Sequence, residues 1–202
     1  MLQLDHIAIS ARTLEEGVEA VERALGVKLA PGGQHPHMAT HNRLLGLGDL
    51  YLEVIAIDPD AAKPAWPRWF DLDHFTGPPA LTNWVARSDD LAADLAQSPP
   101  GTGLPVALTR GRYAWTMAVP PGGKLPFDGA FPALIQWQGP HHPAQNLPDC
   151  HIRLTALHIT HPDADALIQS LPLHDPRIKI TEGPEKTLSA SFATPHGPRH
   201  FP

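Results

Sequence analysis

A single cysteine, Cys150, rules out any internal disulfide, and the setting that fits is a reducing cytoplasm. Cys150 sits in a polar stretch, LPDCH, where an inert loop residue is the plainer reading beside a reactive thiol. Basic clusters are missing as well. Lys and Arg number 15 against 21 Asp and Glu, for a net charge of -6, which argues against nucleic acid and anionic membranes as partners. No apolar run approaches the ~20 residues that a membrane helix needs. The opening MLQLDHIAIS has no basic region followed by a cleavage site, so no signal peptide is expected. The motifs GxSxG, HExxH, CxxC and GxxxxGK[ST] do not occur. The pairs Gly32-Gly33 and Gly122-Gly123 fall in expected loops rather than in strand-to-helix phosphate cradles.

What is present is a chain that should fold. Apolar residues make up 42% of 202, enough for one large domain or two small ones with a real core. The 24 prolines cluster between periodic segments and punctuate loops. The 13 histidines invite a metal reading, but most are scattered, and surface or turn positions account for most of them. The pairs His141-His142 and His158/His161 have no acidic partner at a ligand spacing and read as loop and strand-end residues.

The order of elements is regular. Leu4–Ser10 is a strand with His6, Ala8 and Ser10 on one face and Asp5, Ile7 and Ile9 on the other. Thr13 and Glu16 form a capping box for a helix from about Leu14 to Leu25, which Gly26 ends. An extended VKLAP and a Gly32-Gly33 turn lead to strands Thr40–Leu47 and Leu50–Ile57, joined at Gly48-Asp49. A proline-rich connector, 58–80, carries PAWPRWFDLDHF, whose aromatics either pack it onto the body or cover a site. The order then repeats over 81–138: strand Leu81–Arg87, a Ser88-capped helix over Asp89–Gln97, and strands Pro105–Arg110, Tyr113–Val119 and Ala133–Gln138. Laying HIAISARTL over NWVARSDDL puts His6 against Asn83, and YLEVIA over LIQWQ puts Glu53 against Gln136. A shorter βαββ piece fills 152–201, with strands at Leu154–Thr160, Arg177–Ile180 and Leu188–Thr194, a helix from Pro162 to about Leu171, and a closing turn at His196-Gly197-Pro198.

The chemistry concentrates in HPHMATHNRLLGLGDLYLEVIAIDP, from His35 to Pro59. Strand alternation sets Tyr51, Glu53 and Ile55 on one face, so Glu53 is a carboxylate among apolar neighbours. Burying it unpaired would cost several kcal/mol, so it needs a metal, a cationic side chain or a proton. Arg43 and Arg87 are candidate cations, and a satisfied structural carboxylate is the bland alternative.

The doubled βαβββ order, the opening LDHIAIS and the strand YLEVIAI resemble the vicinal oxygen chelate superfamily, most closely its glyoxalase-like branch. HPHMATHNRLLGLGDLYLEVIAIDP, PRWFDLD, NWVARSDDL and ALIQWQ are similar to stretches in bacterial members, to about residue 145 and more weakly beyond. The resemblance implies one α+β domain over 1–202, with repeated βαβββ modules curled into a cup-shaped mixed sheet, helices outside, and a partial third βαββ unit. It implies metal ligands on the first and last strands of each module: His6 and Glu53 in the first, where both match, and Asn83 and Gln136 in the second, where neither is the usual His or Glu. His41 is the first candidate to complete a site, with His35 and His37, two apart, next; Arg43 shares the side of His41.

A divalent transition metal (Zn, Ni, Mn, Fe or Co) on His6, Glu53 and His41 would polarise a substrate carbonyl or hold an enediolate, as in a glyoxalase-type isomerase or lyase. An extradiol-type dioxygenase would need His6, His41 and Glu53 as a facial triad. Glu53 is alternatively a general base. The rival is a metal-free binder holding a small organic molecule among Asn83, Gln136, His37 and Arg43. A small-molecule partner and a monomer or homodimer are expected.

Overall fold

Two connectors, 58–79 and 139–152, divide the chain into three consecutive units. The computed structural model describes residues 2–202; Met1 lies outside the described residues. The first unit is β1 (Gln3–Ser10), α1 (Leu14–Leu25), β2 (Ala30–His35), β3 (Thr40–Gly46) and β4 (Tyr51–Ile57). The second is β5 (Ala80–Arg87), α2 (Leu91–Gln97), β6 (Leu104–Arg110), β7 (Tyr113–Val119) and β8 (Ala133–Gln138). The third is β9 (Arg153–His161), α3 (Ala164–Gln169), β10 (Ile178–Glu182), β11 (Thr187–Thr194) and β12 (Gly197–Phe201).

Local signals explain most boundaries. The Thr13 hydroxyl accepts from the Glu16 N–H, and Gly26 closes α1 in the left-handed region at φ 74°. Three expectations need correction. Asp90, not Ser88, caps α2; Ser88 instead accepts from the Asp90 N–H and donates to Asp94. Gly32-Gly33 lie inside β2 as a bulge, because the pairing with β3 skips between Pro31 and Gln34. Gly197-Pro198 is not the terminal turn but the start of β12, paired to β11.

The first two units share one eight-stranded sheet, in the order β2-β3-β4-β1-β5-β8-β7-β6, curled into a half-barrel. β1 and β5 pair antiparallel at its centre. His6↔Val85 and Ala8↔Asn83 flank Ile7↔Trp84 symmetrically, so the two modules are related by a half-turn about that pair. The curl brings the two edges together: a Cβ on Gly33 of β2 would lie 2.8 Å from the Arg110 side chain at the end of β6. The third unit forms its own sheet, β10-β9-β11-β12, in which β10 runs parallel beside β9.

Strand alternation divides the core in two. One cluster, with Ile7, Leu52, Val54, Trp84 and Leu134, lies outside the curl and continues into the third unit through Leu157, Phe192 and Phe201. Gly17 lets α1 settle onto it, since a Cβ there would stand 2.5 Å from Val54. The second cluster, with Ala8, Ile55, Val85, Met117 and Ile135, lines the hollow of the sheet. Among the described residues, no helix is long and apolar enough to cross a membrane.

Candidate functional site

The hollow holds a buried polar cluster that begins with a bulge in β1. Pairing with β5 shifts register between Leu4 and His6, so the extra residue, Asp5, turns into the hollow beside His6 instead of away from it. Alternation alone placed Asp5 on the other face. Asp5 has no exposed surface. Its carboxylate accepts from His6 Nδ1 at 2.6 Å, His142 Nε2 at 2.9 Å and Trp137 Nε1 at 3.0 Å. Burial pushes the Asp5 pKa up, but the bonds from His142 and His6 outweigh it and hold the carboxyl well below the usual range.

His6 stacks on Tyr51, with centroids 4.3 Å apart, and its Nε2 faces Glu53 Oε2 across 3.6 Å. Burial alone would lower the His6 pKa. The Asp5 and Glu53 carboxylates on either side outweigh burial and raise it to about 9, so the ring is an imidazolium at neutral pH. Glu53 is likewise buried, yet His6 and the Asn42 amide lower it to about 2. Glu53 thus has the partner its sequence context demanded, in His6 and Asn42 rather than in Arg43 or Arg87. Arg43 bonds the Asn42 carbonyl, and Arg87 bonds Gln3.

Asn42 is the hinge of the cluster. Its Nδ2 donates to Glu53 Oε1, while its Oδ1 accepts from the Gly33 N–H at 2.8 Å and from Arg110 Nη1 at 3.0 Å. Arg110 also donates to His35 Nε2 at 3.0 Å, and His35 Nδ1 lies 3.1 Å from the Thr40 hydroxyl. Burial drops the His35 pKa to about 4, so this ring is neutral, an acceptor for the guanidinium. Trp69, Phe70, Trp115 and Trp137 enclose the space, which has room for only about 30 Å³. The connector both packs and covers: Trp69 and Phe70 are buried and roof the site, while Trp66 stays exposed. Trp69 Nε1 is buried with no hydrogen-bond partner among the described residues. Phe70 and Asp71 hold positive φ, 58° and 54°, which L-residues adopt at a cost.

Several expected site residues lie elsewhere. His41 and Arg43 pair with Ala56 and Val54, so strand parity turns them to the outer side, away from Glu53. The facial triad of His6, His41 and Glu53 is therefore not assembled. His37 follows the end of β2 into a turn and stacks on Trp66 outside the hollow. Gln136 also faces outward, where Oε1 accepts from the Leu91 N–H and Nε2 donates to the Asp89 carbonyl, fastening the start of α2. The sheet register shows why: Ala8↔Glu53 in the first module corresponds to Val85↔Ala133 in the second. The counterpart of Glu53 is Ala133, three positions before Gln136, and an odd shift reverses the face. Asn83 does face inward, but it lines a separate cavity.

Asp5, Asn42, Arg110 and His142 were not foreseen. The Asp5-His6 dipeptide was the one visible signal, a carboxylate adjoining a candidate ligand. His142 reaches Asp5 across 137 positions, which no local pattern announces.

A profile of the glyoxalase-like domain matches residues 4–173. The chain belongs to the glyoxalase-like domain family. Its fold is also that of a hypothetical protein from Staphylococcus aureus, at TM-score 0.64 and 13% identity over 93% of this chain and 88% of that one. Methylmalonyl-CoA epimerases from Streptomyces coelicolor (TM-score 0.45, 17% identity, 69% of this chain and 98% of that one) and Mycobacterium tuberculosis (0.45, 16%, 68% and 88%) are more distant in shape. No curated protein matches the chain.

The four-ligand metal site that the glyoxalase-like resemblance implies does not fit these residues. The first module supplies two donors, His6 Nε2 and Glu53. The second offers Ala133 in place of a carboxylate, and Asn83 in another cavity. His35, which lines the same space, has its Nε2 engaged by the Arg110 guanidinium. No group of three or more His, Cys, Asp or Glu among the described residues is arranged to hold an ion.

His6 and His35 shape the pH dependence of stability on either side of neutrality, with the depressed Asp5 and Glu53 carboxyls adding to the loss at acid pH. His6 rises from 6.5 to about 9 on folding, so its stabilisation is full below pH 6.5 and is lost as pH climbs through 9. His35 falls from 6.5 to about 4, so its contribution is full above pH 6.5 and is lost as pH drops toward 4. Urea midpoints should peak near pH 6.5 and decline on both sides, and His6→Gln should flatten the alkaline limb. An unchanged alkaline limb in that variant would contradict the assignment of the charge to His6.

Proposed function

We propose that this protein is a small-molecule enzyme of the isomerase or lyase type that moves a proton on a compact carbonyl compound, with Glu53 and His6 as the proton-transfer pair. The observation that carries this reading is the closed chain Asp5–His6–Glu53, in which a buried imidazolium is held between two carboxylates at 2.6 and 3.6 Å. Opposite charges at hydrogen-bonding reach are what abstraction from carbon requires: a base to take the proton and an acid to meet the oxygen that gains charge.

In this scheme the C–H bond next to the carbonyl breaks and its proton goes to Glu53. His6 Nε2–H goes to the carbonyl oxygen, giving an enol. In a 2-hydroxy carbonyl compound, transfer of the Glu53 proton to the former carbonyl carbon, as His6 Nε2 takes the proton of the original hydroxyl and the new carbonyl forms, completes an isomerisation. Transfer of the Glu53 proton to a departing β-substituent, as His6 Nε2 takes back the enol proton and the carbonyl re-forms, completes an elimination. Asp5 keeps Nδ1 of His6 occupied, so that Nε2 is the nitrogen that works. Ligand entry displaces the contacts that depress the Glu53 pKa, which raises its basicity where it is needed. The unpartnered Trp69 N–H and the Arg110 guanidinium supply donors for the rest of the ligand. Entry requires the Trp69-Phe70 roof to lift, since 30 Å³ is about one water. The paired modules are complete in one chain, which suits a monomer or homodimer, and the lone Cys150 suits the cytoplasm.

The test is hydrogen–deuterium exchange of α-protons in D2O, followed by NMR over a panel of 2-oxo and 2-hydroxy aldehydes, ketones and acids. The protein is first treated with chelator and its metal content measured by mass spectrometry. Exchange by the metal-free protein supports the reading. Exchange only after adding Zn, Ni, Mn, Fe or Co would replace it with a metal-dependent one.

A further inference from the structure

Beyond the Phe70 ring lies a second cavity, of about 280 Å³, on the Asn83 side of the half-turn axis. Asn83 occupies the position that His6 holds in the first module, and it is 4% exposed. Among the described residues no hydrogen bond engages its side-chain amide. Lys186, from the loop between β10 and β11, enters the same cavity and, among the described residues, donates only to the Thr82 carbonyl oxygen, at 3.0 Å. The two nitrogens converge. A Cβ built on Gly129 would stand 3.7 Å from both Asn83 Nδ2 and Lys186 Nζ, and Gly129 keeps that space open at φ 89°.

Among the described residues no carboxylate forms a direct ion pair with Lys186; Asp128 and Asp71 act on it only through space. Asp128 is paired with Lys124, and Asp71 accepts from His74 at 2.6 Å. Burial, with Lys124 nearby, pushes the Lys186 ammonium toward deprotonation against the opposing pull of Asp128 and Asp71. Phe70, Phe75 and Leu125 give the cavity an apolar wall beside this cationic end.

We propose that the Asn83–Lys186–Gly129 cavity is a binding site for a small organic monocarboxylate, its two oxygens on Lys186 Nζ and Asn83 Nδ2 and its apolar body against Phe70 and Leu125. One ammonium and one amide N–H match the two oxygens of a single carboxylate. Asp71 and Asp128 in the wall repel a second, which selects against phosphate. The site shares Phe70 with the first cavity, and its polar residues are its own, so it does not rest on the proton-transfer reading.

The experiment is a titration of the full chain with propionate, followed by amide chemical shifts, with inorganic phosphate as the parallel arm. Propionate should saturate with a Kd on the order of 1 mM and shift the Asn83 and Gly129 amides most. Lys186→Met and Asn83→Leu should each weaken binding by about tenfold, Lys186→Arg should retain it, and Glu53→Gln should leave it unchanged. The proposal is overturned by shifts centred elsewhere, by undiminished binding in Lys186→Met, by absence of saturation, or by tighter binding of phosphate.

Discussion

Glu53→Gln should leave the protein folded and reduce α-proton exchange by about a hundredfold or more, the usual worth of a positioned base. The amide fits the same space and its oxygen can still accept from Asn42. What it removes is the acceptor for the proton and the negative charge that His6 faces across 3.6 Å. Without that charge the His6 pKa should fall from about 9, which gives the variant a second signature. The imidazole carbon shifts, followed by NMR against pH, should titrate at lower pH than in the wild type. Full exchange activity in Glu53→Gln would end the case for Glu53 as the base. An unmoved His6 titration would separate the two groups electrostatically.

The largest stability loss should follow Asp5→Ala. Three donors converge on that buried carboxylate: the His6 imidazolium, the half-buried Trp137 indole and His142. Removing it leaves a cation and two N–H groups without an acceptor, a loss of about 3–5 kcal/mol when one member of a buried ion pair is deleted. Asp5→Asn should cost less, because an amide oxygen can keep one or two of the three bonds. Urea unfolding at pH 6.5 decides it: equal losses in both variants would mean that the charge, not the acceptor count, is what the cluster needs.

The sequence made the sheet legible because hydrophobic alternation and turn chemistry are local. β7 and β8 begin and end where their patterns do, and α1 is framed by Thr13 and Gly26. His6 and Glu53 were placed together by parity and by resemblance. The misplacements share one physical source, register. A bulge at Asp5 turns one more carboxylate inward, and a three-residue offset in β8 sends Gln136 out. His41 and Arg43 fail for the same reason, since Asn42 between them takes the inward position. Arg110 and His142 could not be foreseen, because each meets its partners through closure of the sheet rather than through any nearby pattern.

The closure itself couples access to integrity. The two ends of the half-barrel are stitched by one side chain, Arg110, which crosses from β6 to His35 and Asn42 and rests against Gly33. The same guanidinium faces the ligand space. A guest that draws Arg110 away undoes the stitch, so occupancy loosens the seam between the modules while each module keeps its own strands paired. Wild-type protein saturated with such a guest should therefore exchange the amides of β2 and β6 faster than those of β1 and β5, a breathing motion confined to the rim.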